Sequence, residues 1–175
     1  MGHCCSDPAG ESAQGHPRPS ASCPRCGAVG RGVSDATLEA ILSPGLATSL
    51  LGAEPRFCRT GNCPVLYYGV DGLQVDKGAA RVRVGLKETT DPLALCYCFG
   101  FSSADVYREV EQTGGSSTIP AQITARVRAG ECACETNNPS GACCLGEVNK
   151  AVKEAQQALQ QLPNSRNPGG IHGQR

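Results

Sequence analysis

The cysteines of this 175-residue chain come in close pairs, and that spacing limits its possible folds more than any other feature. Cys4–Cys5, Cys23–Cys26, Cys58–Cys63, Cys96–Cys98, Cys132–Cys134 and Cys143–Cys144 account for all 12. Metal sites place two ligands on one tight turn, because a small ion needs its sulfurs about 2.3 Å away. Disulfide frameworks scatter their cysteines instead, so the pairing favours metal. Aromatic residues make up only 4% of the chain and Trp is absent, whereas Gly numbers 22 and Pro 12. Few bulky side chains are available to fill a large core, so staples must supply part of the stability.

Lys plus Arg and Asp plus Glu both number 16, giving a formal net charge of zero. That excludes partners captured by long-range charge, such as nucleic acid or an anionic membrane. No stretch approaches the ~20 apolar residues of a membrane span. The first 20 residues are polar and carry no apolar signal core, so the expected compartment is the reducing cytoplasm. There, dense cysteine means metal ligation or redox chemistry.

Local patterns predict an α+β chain of two modules between two disordered tails. Residues 1–22 and 163–175 are tails rich in Gly, Pro and polar residues. Residues 23–90 read as a β-rich zinc-knuckle module. In it, Ser34-Asp35 caps a helix over Ala36–Leu42, and Pro44-Gly45 stops that helix. Leu46–Leu51 forms another turn. Val65–Val70 and Leu73–Val75 pair across an Asp71-Gly72 turn, and Arg81–Val84 alternates as a third strand. Residues 91–162 read as a helical module. A capping box of Ser102 and Asp105 starts a helix that Gly114-Gly115 ends. Thr118 caps a second helix. Leu145, Val148, Val152, Ala155, Leu159 and Leu162 make the apolar stripe of a third.

Cys23-x2-Cys26 with Cys58-x4-Cys63 supplies four thiolates, a closed tetrahedral set for structural zinc. Pro24 and Gly27 suit a knuckle whose backbone amides point back at sulfur. A dithiol redox centre at Cys23–Cys26 is the competing reading, but it leaves Cys58 and Cys63 unexplained. In the second group, one intervening residue lets Cys96 and Cys98 share one iron, and a distal pair holds the other. That is a [2Fe–2S] ligand set, with zinc as the alternative.

The run Cys96-Tyr97-Cys98-Phe99-Gly100, Ser117-Thr118-Ile119, Cys132-Ala133-Cys134-Glu135, Asn138-Pro139-Ser140-Gly141 and Cys143-Cys144-Leu145-Gly146 resembles the cluster module of bacterioferritin-associated ferredoxins. With Cys23-Pro24-Arg25-Cys26-Gly27, Phe57-Cys58, Cys63-Pro64-Val65 and Gly85-Leu86-Lys87-Glu88, the stretch from Cys23 to about Val148 resembles the N-terminal domain of CopZ-type copper chaperones. The resemblance implies Zn²⁺ at Cys23, Cys26, Cys58 and Cys63. It implies a [2Fe–2S] cluster at Cys96, Cys98 and two of four distal cysteines. Cys134 and Cys144 are the expected pair, because Cys144 opens a helix whose amides stabilise negative charge; Cys132 with Cys143 is the rival. That family's copper-binding motif, Met-x-Cys-x-x-Cys, does not occur: the one Met is Met1, and the one Cys-x-x-Cys is the zinc knuckle. The resemblance therefore implies metal handling and electron transfer rather than copper delivery.

The expected function is metal homeostasis, with copper as the metal. The cluster acts as a one-electron carrier at about −400 to −200 mV that reduces Cu(II) to Cu(I). Its partners are an electron donor, which the sequence does not identify, and a copper transporter or separate chaperone. Arg126 and Arg128 are placed to tune the potential or dock a partner. Of the four remaining cysteines, Cys132 and Cys143 suit Cu(I), a soft ion. Met1-Gly2-His3 has the donors of a Cu(II) site, and Met1–Ser6 fits a lipidation pattern of eukaryotes. The alternative function is a redox- or iron-sensing interaction module whose partner surface is the apolar stripe. No Ser/His/Asp set, phosphate loop or paired catalytic carboxylates point to an enzyme beyond electron transfer.

Overall fold

The computed structural model describes residues 22–161. The expected tails other than Ser22 lie outside the described residues, with Met1-Gly2-His3, Cys4, Cys5 and Leu162. The architecture is α+β. Helix α1 (Asp35–Ile41) starts where Ser34 Oγ accepts the Thr37 amide, and it buries Thr37, Leu38 and Ile41. Pro44 does not merely stop it. Its fixed φ also suits a first helical turn, and it opens α2 (Pro44–Leu50), which buries Ala47 and Leu50.

These helices cover a small antiparallel sheet. Its strands β1 (Arg31–Gly32), β2 (Arg56–Phe57), β3 (Val65–Tyr68) and β4 (Gln74–Asp76) lie in that spatial order. The β3–β4 hairpin turns at Gly72, whose φ of 87° favours glycine. Arg81–Val84, expected as a strand, forms bends. Only Val84 of its two valines reaches the core, while Val82 stays 38% exposed. The Arg81 amide is instead spent on Ile41 O, 2.9 Å away in α1. The sheet is completed by the two-residue strands β1 and β2, too short to show a period. One core joins Leu38, Ile41, Leu42, Leu50, Phe57, Leu66, Tyr67 and Val75.

The second half opens with the hairpin of β5 (Ala94–Cys96) and β6 (Phe101–Ser102). Three helices follow: α3 (Ser103–Thr113), α4 (Ile119–Arg128) and, after the short α5 (Cys134–Asn137), α6 (Leu145–Gln161). The α6 stripe packs inside the chain. Val148, Ala151 and Ala155 join Val106, Val110, Ile119 and Ile123, with Leu145, Val152 and Leu159 half-buried against them. It is core, not the partner surface of the sensing alternative. Thr118 does not cap α4 with its side chain. Its hydroxyl donates to Glu109 Oε1 and that of Ser117 to Oε2, both at 2.6 Å, tying α4 to α3. Among the described residues, no helix is long and apolar enough to cross a membrane.

The α3 cap carries a pH signature. Ser102 Oγ accepts the Asp105 amide, and Asp105 Oδ2 accepts the Ser102 amide at 2.9 Å and hydroxyl at 2.6 Å. These bonds, with a lesser contribution from Arg108, hold the Asp105 carboxyl below its usual range. A carboxyl with a depressed folded-state pKa stabilises the fold above its unfolded pKa, and the gain disappears as pH falls through the folded value. Asp105→Ala is expected to cost about 1 kcal/mol at neutral pH. Thermal melts of both proteins should converge in acid.

Candidate metal centres

The first thiol group forms where two turns meet. Residues 23–27 make a knuckle closed by the bond from Gly27 N to Cys23 O at 2.8 Å, with Gly27 at a φ of 71°. Cys58 leaves β2, its amide donating to Leu66 O at 2.9 Å, and Cys63 ends a turn in which its amide donates to Thr60 O at 3.1 Å. The sulfurs of Cys23, Cys26, Cys58 and Cys63 all lie within 4.8 Å of one another. Cys23 and Cys63 are 3.9 Å apart, and Cys26 and Cys58 are 3.7 Å apart. Four sulfurs at about 2.3 Å from a tetrahedral ion have edges of ~3.8 Å, so this set fits zinc without rearrangement. All but Cys26 are buried, packed with Val65 and Tyr68.

The backbone presents amides to these sulfurs as a knuckle should. Those of Cys26 and Arg25 reach Cys23, that of Ala28 reaches Cys26, and that of Val65 reaches Cys63. The Thr60 hydroxyl, 3.3 Å from Cys26 Sγ, holds the Cys26 thiol down at about 6. Burial pushes Cys63 up to about 12 and also raises Cys23. A metal entering here displaces protons from the buried thiols, so uptake weakens in acid.

Sequence reading did not foresee the residue beneath this site. Lys87 is only 3% exposed. Its ammonium donates to Thr60 O at 2.8 Å and Cys63 O at 3.2 Å, and stands 5.8 Å over the Phe57 ring. It braces the loop carrying two of the four thiols. It also puts a positive charge near a set whose four thiolates outweigh one divalent ion. The Gly85-Leu86-Lys87-Glu88 run was visible, but nothing local in it announces a buried cation.

The second group is built on the β5–β6 hairpin and the segment from Cys132 to Cys144. Cys96 ends β5, and Gly100 N donates to Cys96 O at 2.8 Å to close the turn that carries Cys98. Cys134 begins α5. Cys144 accepts the Val148 amide at 3.0 Å and so stands at the N-terminus of α6. Cys98 and Cys134 sulfurs are 3.7 Å apart. Cys144 is in hydrogen-bonding contact with both Cys96 and Cys134. Contacts through Cys134 and Cys144 therefore link Cys96, Cys98, Cys134 and Cys144 from two distant segments, while the sulfurs that all lie within 4.8 Å of one another are those of Cys98, Cys132 and Cys134. The sulfur of Cys132 is 3.1 Å from that of Cys134. Cys143 lines a groove of about 400 Å³ beside Phe57, Leu86 and Tyr97.

Amide donors serve this group too. Those of Phe99 and Cys98 reach Cys96, that of Ala133 reaches Cys98, and that of Cys144 reaches Cys134. Bonds from Cys144, then Cys132 and Cys98, hold the Cys134 thiol down at about 5, and Cys144 brings Cys96 to about 7. Cys144, sharing its proton with both, is pushed up. Such a set of converging thiols and amides suits an anionic iron–sulfur group. Asn137 Nδ2 adds a donor 3.8 Å from Cys98 Sγ. Arg126 lies 3.9 Å over the Phe99 ring and is paired with Glu131 at 2.7 Å, while half-exposed. It therefore covers the turn that carries Cys98.

The first module holds the second group's loop. Tyr67 OH donates to Pro139 O at 2.6 Å, and Thr37 Oγ1 donates to Glu135 O at 2.7 Å. Asn138 shapes the turn between, accepting the Ser140 amide at 3.0 Å and donating to Ala142 O at 2.7 Å. Tyr97, between Cys96 and Cys98, accepts the Gly85 amide at 2.8 Å. The Gly85–Glu88 segment thus touches both thiol groups.

The chain is similar to known proteins. A family model described as a zinc binding domain matches residues 20–80, the span that holds the four-thiol group. The copper chaperone CopZ of Archaeoglobus fulgidus is 30% identical over 150 residues, covering 80% of this chain and 71% of that protein. The X-ray structure of the Archaeoglobus fulgidus CopZ N-terminal domain superposes with a TM-score of 0.60 at 28% identity. It covers 74% of this chain and 95% of that one.

Proposed function

The chain belongs to the CopZ family of copper chaperones, and on that footing we propose that it serves copper homeostasis as a metal-binding one-electron carrier. The observation that carries this reading is the presence of two separate thiol groups: four sulfurs at zinc-like spacing, and Cys98, Cys132 and Cys134, to which Cys144 and through it Cys96 are joined.

Residues 23–90 form the zinc module in this proposal, with Cys23, Cys26, Cys58 and Cys63 as ligands. The closed set leaves no position for a substrate, so this metal is a staple. Residues 91–162 form the cluster module. Cys96, Cys98, Cys134 and Cys144 would hold a [2Fe–2S] cluster there, which supplies a store for a single electron. The surrounding residues do the rest. Amides of Cys98, Phe99, Ala133 and Cys144 offset negative charge on sulfur, and the Arg126–Phe99 stack covers the turn. The substrate is Cu(II), reduced to Cu(I), which thiolate-bearing transporters or chaperones accept.

Metal analysis of protein purified without oxygen tests the proposal. The expected result is about two iron and one zinc per chain, a rhombic S = 1/2 signal on reduction, and one Cu(II) reduced per chain. Two zinc and no iron would overturn the electron-transfer role. A cluster that Cu(II) leaves reduced would overturn the substrate.

A further inference from the structure

Four thiolates complete the proposed cluster ligand set, yet the site holds a fifth. Cys132 Sγ is 3.1 Å from Cys134 Sγ, nearer than Cys98 at 3.7 Å. The sulfurs of Cys98, Cys132 and Cys134 all lie within 4.8 Å of one another, a spacing at which one thiophilic ion can reach any of them. Cys132 and Cys134 are separated only by the exposed Ala133, in irregular backbone between α4 and α5. Cys134 is buried and Cys132 half-buried, so both sulfurs stand at the edge of the same site.

The other adjacent pair is arranged differently. Cys144 is buried at the start of α6, and Cys143 lines the groove with Phe57, Leu86 and Tyr97.

Resting on the cluster reading above, we infer that Cys132 is a reserve ligand that takes the place of Cys134, whereas Cys144 has no replacement. In the exchange, the bond from iron to Cys134 sulfur breaks and that sulfur takes up a proton. Cys132 loses its proton and forms the new bond. No electron moves, and the cluster charge is unchanged. The device lets the site keep its cluster when Cys134 is blocked by oxidation or alkylation.

Serine variants of the full chain, purified without oxygen, test this by iron content, zinc content, visible circular dichroism and EPR. Cys143→Ser should match the wild type, and Cys132→Ser should keep its iron. Cys134→Ser should retain iron with shifted spectra, because the ligand has changed. Cys132→Ser/Cys134→Ser and Cys144→Ser should lose their iron while keeping zinc, which shows that the chain remains folded. Loss of iron in Cys134→Ser as complete as in the double variant overturns the inference. So does a shifted spectrum in Cys132→Ser with none in Cys134→Ser. Absence of iron from the wild type would remove the cluster reading itself, a result distinguishable because it needs no variant.

Discussion

Cys58→Ser is expected to strip zinc from the chain and unfold the N-terminal sheet with it. Cys58 is fully buried at the end of β2, its sulfur 3.7 Å from that of Cys26, and it packs with Cys23, Cys63, Val65 and Tyr68. The sheet beside it is thin. Two of its four strands have two residues each, so apolar burial and ladder bonds alone give it little. Structural zinc sites contribute apparent free energies of about 10–16 kcal/mol in small peptides, and in such domains binding energy is folding energy. Losing one of four ligands should therefore cost more than about 4 kcal/mol, beyond the ordinary range for a point substitution. Zinc content and a far-UV melt decide it. A variant that keeps one zinc per chain and melts with the wild type would show that these thiols are not a metal staple.

Lys87→Met should have the next largest effect, and it separates the brace from the ligands. Methionine retains most of the stem, so packing under the loop is preserved. The ammonium is removed, leaving Thr60 O and Cys63 O without the donors now 2.8 and 3.2 Å away. A buried acceptor without a partner costs about 1–3 kcal/mol. Releasing the lysine from burial recovers part of that. A net loss of about 2 kcal/mol follows. The Thr60–Cys63 turn, no longer tied to the Gly85–Glu88 segment, should surrender zinc to a chelator faster while still binding one equivalent. Unchanged release kinetics with unchanged stability would mean that the charge under the loop is idle.

The Tyr97 contact with Gly85 extends the same brace toward Cys96 and Cys98. Tyr67 and Thr37 hold the far side of the second group through Pro139 and Glu135. The two thiol groups thus share supports, although their ligands come from separate stretches of chain.

Much of this was legible in advance, for local reasons. Paired cysteines on turns are a short-range signal, and the four-sulfur group formed from the pairs that the spacing selected. The Ser34 cap, the Ser102–Asp105 capping box, the Gly114 stop and the α6 period are all decided within a few residues. The β3–β4 hairpin is legible for the same reason. Arg81–Val84 shows where such reasoning fails. Alternation is necessary for a half-buried strand, but pairing needs a partner edge, and the Arg81 amide found Ile41 O instead.

Local chemistry therefore accounts for where the thiol pairs, caps and helices fall. Residue spacing and backbone preference act over a few positions, and those signals survive in the unfolded chain. Which of the distal thiols stand beside Cys98 was decided only by the tertiary fold. Thr37 reaches Glu135 across 98 positions and Tyr67 reaches Pro139 across 72, and no periodicity encodes either contact. Such contacts bury Lys87 under the zinc loop and turn the α6 stripe inward. They also set Cys132 beside Cys134 while Cys143 lines a groove, because side-chain direction follows from packing between distant segments rather than from sequence order.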